Sequence, residues 1–333
     1  MKPGVFITFD VECSMGGAWD DPALKPVSPL RAIWGEYGDQ RLGIPLIADI
    51  LDRHGLRATF FLEPFMEEQG HPGHGERICQ FLLDRGHDVQ LHVHPTHKQY
   101  GMAQQGKPFP ATDDMADLEP DLQRALLAEG AERIRAWTGR WPTAFRVGNM
   151  GASEETLRQL AEVGIFLDSS YTFAYAGGQC HFSPQDPYNG SKWYGKVLEL
   201  ALSGFRQAPV PGVYPAKPLD LVGISFEECR DAVQCICRAG ADAVVILHSF
   251  SLIKVRNLQY EGGRPNQIIT RRFRRFCEWL ARTPDMPAYT FSDVAKAVAD
   301  GAYQARCVPP CRLVHPRGIL RKAAQVWNNF YWT

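Results

Sequence analysis

Residues 5–12 read Val-Phe-Ile-Thr-Phe-Asp-Val-Glu, an apolar and β-branched run that ends in acidic residues. Such a run is typical of a buried β-strand. Because side chains alternate along a strand, Asp10 and Glu12 project from the same face. The segment therefore predicts a strand that delivers two carboxylates at its C-terminal end.

A second segment repeats this geometry with imidazoles. Residues 88–97 read Asp-Val-Gln-Leu-His-Val-His-Pro-Thr-His. His92 and His94 are two positions apart, so they also share one face of the predicted strand. Imidazole is the commonest protein ligand for zinc-like ions. Two strands that each end in a pair of metal-ligating side chains suggest a hydrolytic metal site.

Strand-like and helix-like runs alternate along the chain, a pattern that predicts a parallel sheet flanked by helices. Strands are predicted at residues 4–10, 58–62, 88–93, 144–147, 166–168, 198–202, 212–214 and 243–248. Helices are predicted at residues 44–54, 75–85, 119–138, 153–163, 226–239, 270–281 and 291–299. The strand ends carry Asp10, His92, Arg146, Asp168 and His248. The C-terminal ends of the strands form the active site in βα barrels and in doubly wound sheets alike. The pattern favours a barrel only modestly.

Three long segments depart from the repeat: residues 13–42, 98–118 and 173–195. The first two leave the predicted active rim, and we interpret them as substrate-binding loops. The third is rich in aromatic side chains, which either stack on sugar rings or pack against their own fold. We assign residues 1–302 to one barrel domain with these rim loops and residues 303–333 to a C-terminal extension.

The C-terminal extension combines basic and aromatic side chains: Arg312, Arg317, Arg321, Lys322, Trp327, Phe330, Tyr331 and Trp332. Such a segment can make weak contact with an anionic membrane surface. It can equally fold back onto the barrel. The sequence leaves both alternatives open.

The bulk composition excludes some function classes. Lys plus Arg number 36 and Asp plus Glu number 37, so no basic excess points to nucleic acid. No apolar run approaches the roughly 20 residues that span a bilayer. The N-terminus enters a predicted strand at once, without a charged and then apolar leader. The cysteines number nine and several fall in apolar patterns, so free thiols and a cytoplasmic location are expected.

Five short motifs in this order resemble those of the polysaccharide deacetylase family, the NodB-like carbohydrate esterases: Thr8–Asp10, Gly86–His92, Phe145–Asn149, Leu167–Ser170 and Ile246–Ser249. Any one of them is weak, but five in order are specific. The resemblance implies a distorted (β/α)7 barrel, in agreement with the strand count. It also implies a divalent-metal hydrolase that removes acyl groups, usually N-acetyl, from amino sugars.

The sequence departs from the family pattern at three positions. Val11 stands where the family has a second, ligating aspartate, and Glu12 is the nearest acid on the face of Asp10. Thr96 stands where the family has a second ligating histidine, so either His94 or His97 must substitute. Strand parity favours His94. The usual proline of the third motif is replaced by Gly148.

The resemblance implies a role for each motif residue. Glu12, His92 and His94 are expected to bind one divalent metal, with Zn²⁺ first and Co²⁺, Ni²⁺ or Fe²⁺ as alternatives. Asp10 is expected to be the general base, although the exchange of roles between Asp10 and Glu12 stays open. His248 is expected to be the general acid. Two further expectations concern ionic partners: Asp168 would hydrogen-bond His248, and Arg146 would pair with Asp10.

The leading hypothesis is therefore a metal-dependent hydrolase of a carbon–nitrogen bond outside peptides, acting on an acylated amino sugar or a glycan precursor. One alternative is a cyclic-amide hydrolase of the allantoinase type, since that branch shares the fold. The other is a non-catalytic carbohydrate-binding protein with a decayed site, because Val11 and Thr96 occupy ligand positions.

Overall fold

The computed structural model describes residues 1–183, 186–207 and 216–313 of the 333-residue chain. The strands, in chain order, are β1 (Val5–Val11), β2 (Glu36–Tyr37), β3 (Gln40–Arg41), β4 (Thr59–Leu62), β5 (Asp88–Val93), β6 (Ala144–Val147), β7 (Leu167–Asp168), β8 (Asn189–Tyr194), β9 (Val197–Leu200), β10 (Gly204–Gln207), β11 (Ala216–Pro218), β12 (Ala243–His248), β13 (Ile253–Lys254), β14 (Arg264–Pro265), β15 (Ala288–Tyr289), β16 (Cys307–Val308) and β17 (Cys311–Leu313).

The α-helices are α1 (Pro29–Ala32), α2 (Ile44–Asp52), α3 (His74–Leu83), α4 (Pro95–Gln104), α5 (Pro120–Thr138), α6 (Glu154–Val163), α7 (Phe226–Arg238), α8 (Gln267–Ala281) and α9 (Phe291–Ala299). Short 3-10 helices span Pro64–Gln69, Met115–Asp117, Gly148–Met150 and Phe173–Tyr175. Their ends follow local sequence signals. Ser225 and Glu228 form a capping box at the start of α7, and α5 ends at Gly139, whose φ of 73° favours glycine.

The central sheet is a curled row of parallel strands in the order β12-β1-β4-β5-β6-β7-β9, continued by antiparallel β8 and by β16. The curl brings its two sides together, because Leu202, just after β9, forms a parallel bridge with Val244 of β12. The seven parallel strands confirm the predicted distorted (β/α)7 barrel.

The strand register brings the predicted site residues level with one another. Asp10 lies opposite His248 across the β1–β12 pair, and His92 lies opposite Arg146 across the β5–β6 pair. All seven residues of β1 are buried, as its largely apolar run predicts. The C-terminal ends of these strands therefore meet at one rim.

The three segments predicted as rim loops contain more regular structure than expected. Residues 98–118 include most of α4 and a 3-10 turn, residues 13–42 include α1, β2 and β3, and residues 173–195 include β8. Helix α4 was not predicted from hydrophobic periodicity, because its apolar and polar side chains are hardly segregated to opposite faces. Tyr188 of the third segment stacks on Tyr171 in the interior, so this aromatic side chain packs against its own fold.

The first part of the C-terminal extension returns to the barrel. Strand β16 pairs with β8, and β17 pairs with β10. The predicted strand at 212–214 and the basic and aromatic residues from 314 to 333 lie outside the described residues, so membrane contact through them stays a prediction. Within the described ranges, no helix combines the length and the apolar character needed to cross a bilayer.

Candidate metal centre

Three side chains from two neighbouring regions of the rim converge on one point. Glu12 Oε2 lies 2.6 Å from His94 Nε2 and 3.0 Å from His92 Nε2. One ligand atom from each residue can be chosen so that all three lie within 4.8 Å of one another. This is the set predicted from strand parity. A carboxylate and two imidazoles are a donor set that suits zinc-like ions, so these residues fit a divalent metal.

The tautomer of each histidine is set by a contact of its other ring nitrogen. His92 Nδ1 donates to the backbone carbonyl of Arg146 at 2.8 Å, and His94 Nδ1 donates to Asp113 Oδ2 at 2.8 Å. Both Nε2 atoms are thus left to face Glu12. Supporting contacts of this kind orient metal-ligating histidines and raise their basicity.

The charges of the cluster depend on one another. Burial raises the pKa of Glu12, but His94 and His92 outweigh burial and hold the pKa well below its usual value. Burial lowers the pKa of His94, but Glu12 and Asp113 reverse the shift and raise it well above its usual value. A cation is therefore strongly favoured between these two carboxylates.

Gly148 makes room for His94. A Cβ atom added at position 148 would overlap the His94 ring. The two residues that follow, Asn149 and Met150, have φ angles of 51° and 59°, which is the left-handed region that side chains other than glycine rarely adopt. Asn149 also donates to Asp113 at 2.5 Å. The replacement of the family's proline by Gly148 thus accompanies the placement of His94.

The predicted pair of Asp10 and Arg146 is present and deeply buried. Arg146 Nη1 donates to Asp10 Oδ1 at 2.7 Å, and the two side chains are 0% and 3% exposed. The guanidinium also donates to Ser169 and lies 4.3 Å from the centre of the Phe61 ring. Removal of one partner from a buried pair costs about 3–5 kcal/mol, so this contact holds the two side chains in place.

His248 lies on the open side of the cluster. Its Nε2 is 3.9 Å from Glu12 Oε1, its side chain is 32% exposed, and its ring stacks on Phe250 with centroids 5.1 Å apart. Asp220 bridges to the strand of His248 through Ile246. Burial raises the pKa of Asp220, and the charge of His248 partly offsets this.

The prediction that Asp168 hydrogen-bonds His248 is wrong. Asp168 accepts from Ser170 Oγ at 2.7 Å and shares a side-chain hydrogen bond with Glu199, its register partner on β9. Burial raises the pKa of both carboxyls, and for Glu199 the neighbouring Asp168 adds to the rise. Asp168 belongs to a buried acid pair, whereas the carboxyls whose pKa values are lowered by the charge of His248 are Glu12 and Asp220.

The alternative ligand His97 is engaged elsewhere. Its Nδ1 lies 2.9 Å from Glu63 Oε2, and the two side chains are 3% and 0% exposed. Its ring centroid lies 5.5 Å from that of His94. His97 therefore packs behind the cluster as a buried partner of Glu63.

Sequence reasoning missed the residues that support the cluster, because they lie in segments without a strand or helix pattern. Asp113 belongs to the polar segment interpreted as a substrate loop, and Asp220 follows a short edge strand. Glu199 could have been found from strand parity, since it sits at the end of β9 in the position that Asp168 occupies on β7.

A curled parallel barrel with a histidine–carboxylate cluster at the strand ends defines the class of NodB-like barrels. Residues 37–166 match the family model described as Polysaccharide deacetylase. The match includes His92, His94 and Arg146, whereas Asp10 and His248 lie outside it. The predicted resemblance to the polysaccharide deacetylase family is confirmed for residues 37–166. None of the curated proteins matches the chain.

Solved structures are similar to this chain at low sequence identity. A protein of Mycobacterium smegmatis described as a polysaccharide deacetylase has a TM-score of 0.57 and 20% identity, over 94% of this chain and 93% of that chain. A family 4 carbohydrate esterase from Streptomyces lividans, in complex with acetate, has a TM-score of 0.43 and 16% identity, over 92% and 98% of the two chains. The Bc1960 peptidoglycan N-acetylglucosamine deacetylase has a TM-score of 0.44 and 16% identity, over 88% and 87%.

Proposed function

We propose that this chain is a metal-dependent hydrolase that removes an acyl group, N-acetyl in the first instance, from an amino sugar or glycan precursor. The observation that carries the proposal is the convergence of Glu12, His92 and His94 beside the Asp10–Arg146 pair. The resemblance to the polysaccharide deacetylase family suggests the reaction type. Zn²⁺ is the proposed ion, since two imidazoles and one carboxylate match a catalytic zinc set with a free position.

A divalent ion held here would supply polarisation of the acyl carbonyl and acidification of an attacking water. The rest of the chemistry falls to side chains. Asp10 is held in place by Arg146 and can accept the proton of the water at a carboxylate oxygen. His248 faces the open side and can donate a proton from its ring to the departing nitrogen, so the products are an amine and a carboxylic acid.

Neighbouring residues offer the side chains that the two departures at ligand positions lack. Val11 is fully buried, and the adjacent Glu12 offers a carboxylate. The Thr96 hydroxyl accepts from Trp19 Nε1, and His94 offers the second imidazole. The replacement of both lost ligands supports a catalytic function over a purely carbohydrate-binding one.

Metal content and acid release together test the proposal. Purified protein loaded with Zn²⁺ or Co²⁺ should retain about one ion per chain and release acetate from N-acetylated amino-sugar oligomers. A parallel panel of ureides, including allantoin, separates the cyclic-amide alternative. Retention of the ion without turnover on either panel would overturn the hydrolase proposal.

A further inference from the structure

Trp19 is an exposed indole held in a fixed orientation at the rim. Its side chain is among the large apolar groups that face solvent, at 42% exposure. Its Nε1–H donates to Thr96 Oγ1 at 2.8 Å, and its ring meets the Tyr100 ring at 79° with centroids 5.6 Å apart. A rigid aromatic surface offers binding area without an entropic cost of ordering when a ligand arrives.

A short chain of polar contacts connects this indole to the candidate metal centre. Thr96 holds Trp19 through its hydroxyl, and the Thr96 backbone N–H donates to Asp113 Oδ1 at 3.2 Å. The other oxygen of Asp113 accepts from His94. Trp19 is therefore linked to the cluster through two intervening residues, Thr96 and Asp113.

The turn that carries Trp19 is itself anchored. Gln259 Nε2 donates to the carbonyls of Gly16 at 2.6 Å and Lys25 at 3.0 Å, and Val27 N donates to Ser14 O at 2.8 Å. These contacts tie the segment to a distant part of the chain. They hold Trp19 on the rim as part of the folded surface.

A second exposed tryptophan provides a contrast. Trp193 on β8 is 44% exposed, yet among the described residues neither a hydrogen bond nor a ring contact of its side chain is found. The two indoles are equally accessible, but only Trp19 is oriented by partners. The fixed orientation of the Trp19 indole is therefore a property of its own contacts and does not follow from its exposure.

We infer that Trp19 is a sugar-stacking residue that binds the unit next to the acylated sugar in an oligomer of neutral N-acyl amino sugars. The C–H face of a pyranose ring is apolar and slightly positive, which complements the negative face of an indole. Thr96, which occupies a former ligand position, orients this platform. The inference rests on the proposed function for the reacting sugar, but it concerns binding alone.

The test compares Trp19→Ala with the matched variant Trp193→Ala. In a turnover assay, Trp19→Ala should raise KM for tri-N-acetylchitotriose about tenfold, change kcat less than threefold and retain the metal. Monomeric N-acetylglucosamine should show little change in KM. Thr96→Val, which removes only the hydrogen bond, should lie between wild type and Trp19→Ala, and Trp193→Ala should match wild type.

Direct binding separates this inference from the hydrolase proposal. Calorimetric titration of the zinc-loaded protein with tri-N-acetylchitotriose should show affinity about tenfold weaker in Trp19→Ala. Binding without turnover would contradict the proposed hydrolase function but support the stacking role of Trp19. No binding to wild type, equal effects of both tryptophan variants, or metal loss in Trp19→Ala would overturn the stacking role.

Discussion

The two ends of strand β5 carry polar side chains on the same face but use them differently. At its start, Asp88 accepts from Thr59, from Gln90 and twice from Ser292. At its end, His92 directs a free ring nitrogen at Glu12, as His94 does just beyond the strand. The alternation of side chains identifies the face, but only the position along the strand separates a saturated structural network from a ligating cluster.

The largest expected effect comes from removing a ligand at the functional end. His92→Ala should reduce the metal content from about one ion per chain to near zero and abolish deacylation, because two ligands rarely hold a catalytic metal. Metal analysis after dialysis measures the first effect and acetate release the second.

Gln90→Ala is the matched control on the same face of β5. It leaves Thr143 N and Ala144 N without the acceptor that Gln90 Oε1 provides at 3.0 and 2.9 Å. The free energy of unfolding should fall by about 2 kcal/mol while the metal is retained. Loss of metal from Gln90→Ala would show that the structural role of the start of β5 and the metal-binding role of its end are not independent.

The next effect concerns proton delivery. His248→Ala should keep the metal, because His248 is outside the three-residue cluster, but it should lower kcat roughly 10²–10⁴-fold. Single-turnover kinetics on an N-acetylated oligomer provides the measurement. Normal turnover of this variant would mean that the acid has been assigned to the wrong residue.

A smaller effect is expected from the glycine behind His94. Gly148→Ala forces a methyl group into the His94 ring and should weaken metal affinity by about 10–100-fold, the usual weight of groups that orient a ligand. Gly75→Ala, where a Cβ atom would overlap Trp137, imposes a similar overlap away from the site. The absorption spectrum of the Co²⁺-loaded protein provides the measurement. Gly75→Ala should change stability but leave this spectrum unchanged. A changed spectrum in both variants would refute a local role for Gly148.

The smallest effect belongs to the structural end of β5. Both ring nitrogens of His87 are buried without a hydrogen-bond partner, and burial lowers its pKa to about 4 despite Asp52 nearby. The unfolded chain therefore binds the proton first as pH falls. The contribution of His87 is complete above pH 6.5 and is lost as pH falls towards 4, by up to about 3 kcal/mol. Urea unfolding of His87→Phe should show a flatter pH dependence than wild type over this window, and identical profiles would contradict the assignment.

Local patterns were enough to predict most of the barrel and the convergence of Glu12, His92 and His94. Runs of β-branched and apolar residues mark the central strands, and parity places Glu12, His92 and His94 on facing positions. Both are properties of short segments, so they can be read without knowledge of which strands are neighbours.

The partners of the site residues depend on strand order, which short segments do not encode. The expected contact of Asp168 with His248 failed because the register of β7 with β9 sets Asp168 beside Glu199. Likewise, Asp113 reaches His94 only because the segment after α4 folds back over the rim. Irregular segments carry no periodicity from which such contacts could be derived.

The position of the first strand has a consequence for synthesis of the protein. Strand β1 lies between β4 and β12, and the Thr8 hydroxyl donates to a carbonyl 237 positions later in the chain. A nascent chain therefore cannot complete the surroundings of Asp10 until three quarters of the polypeptide has been made. Such distant pairing slows folding and leaves one edge of β1 open to chaperones or to aggregation in the meantime.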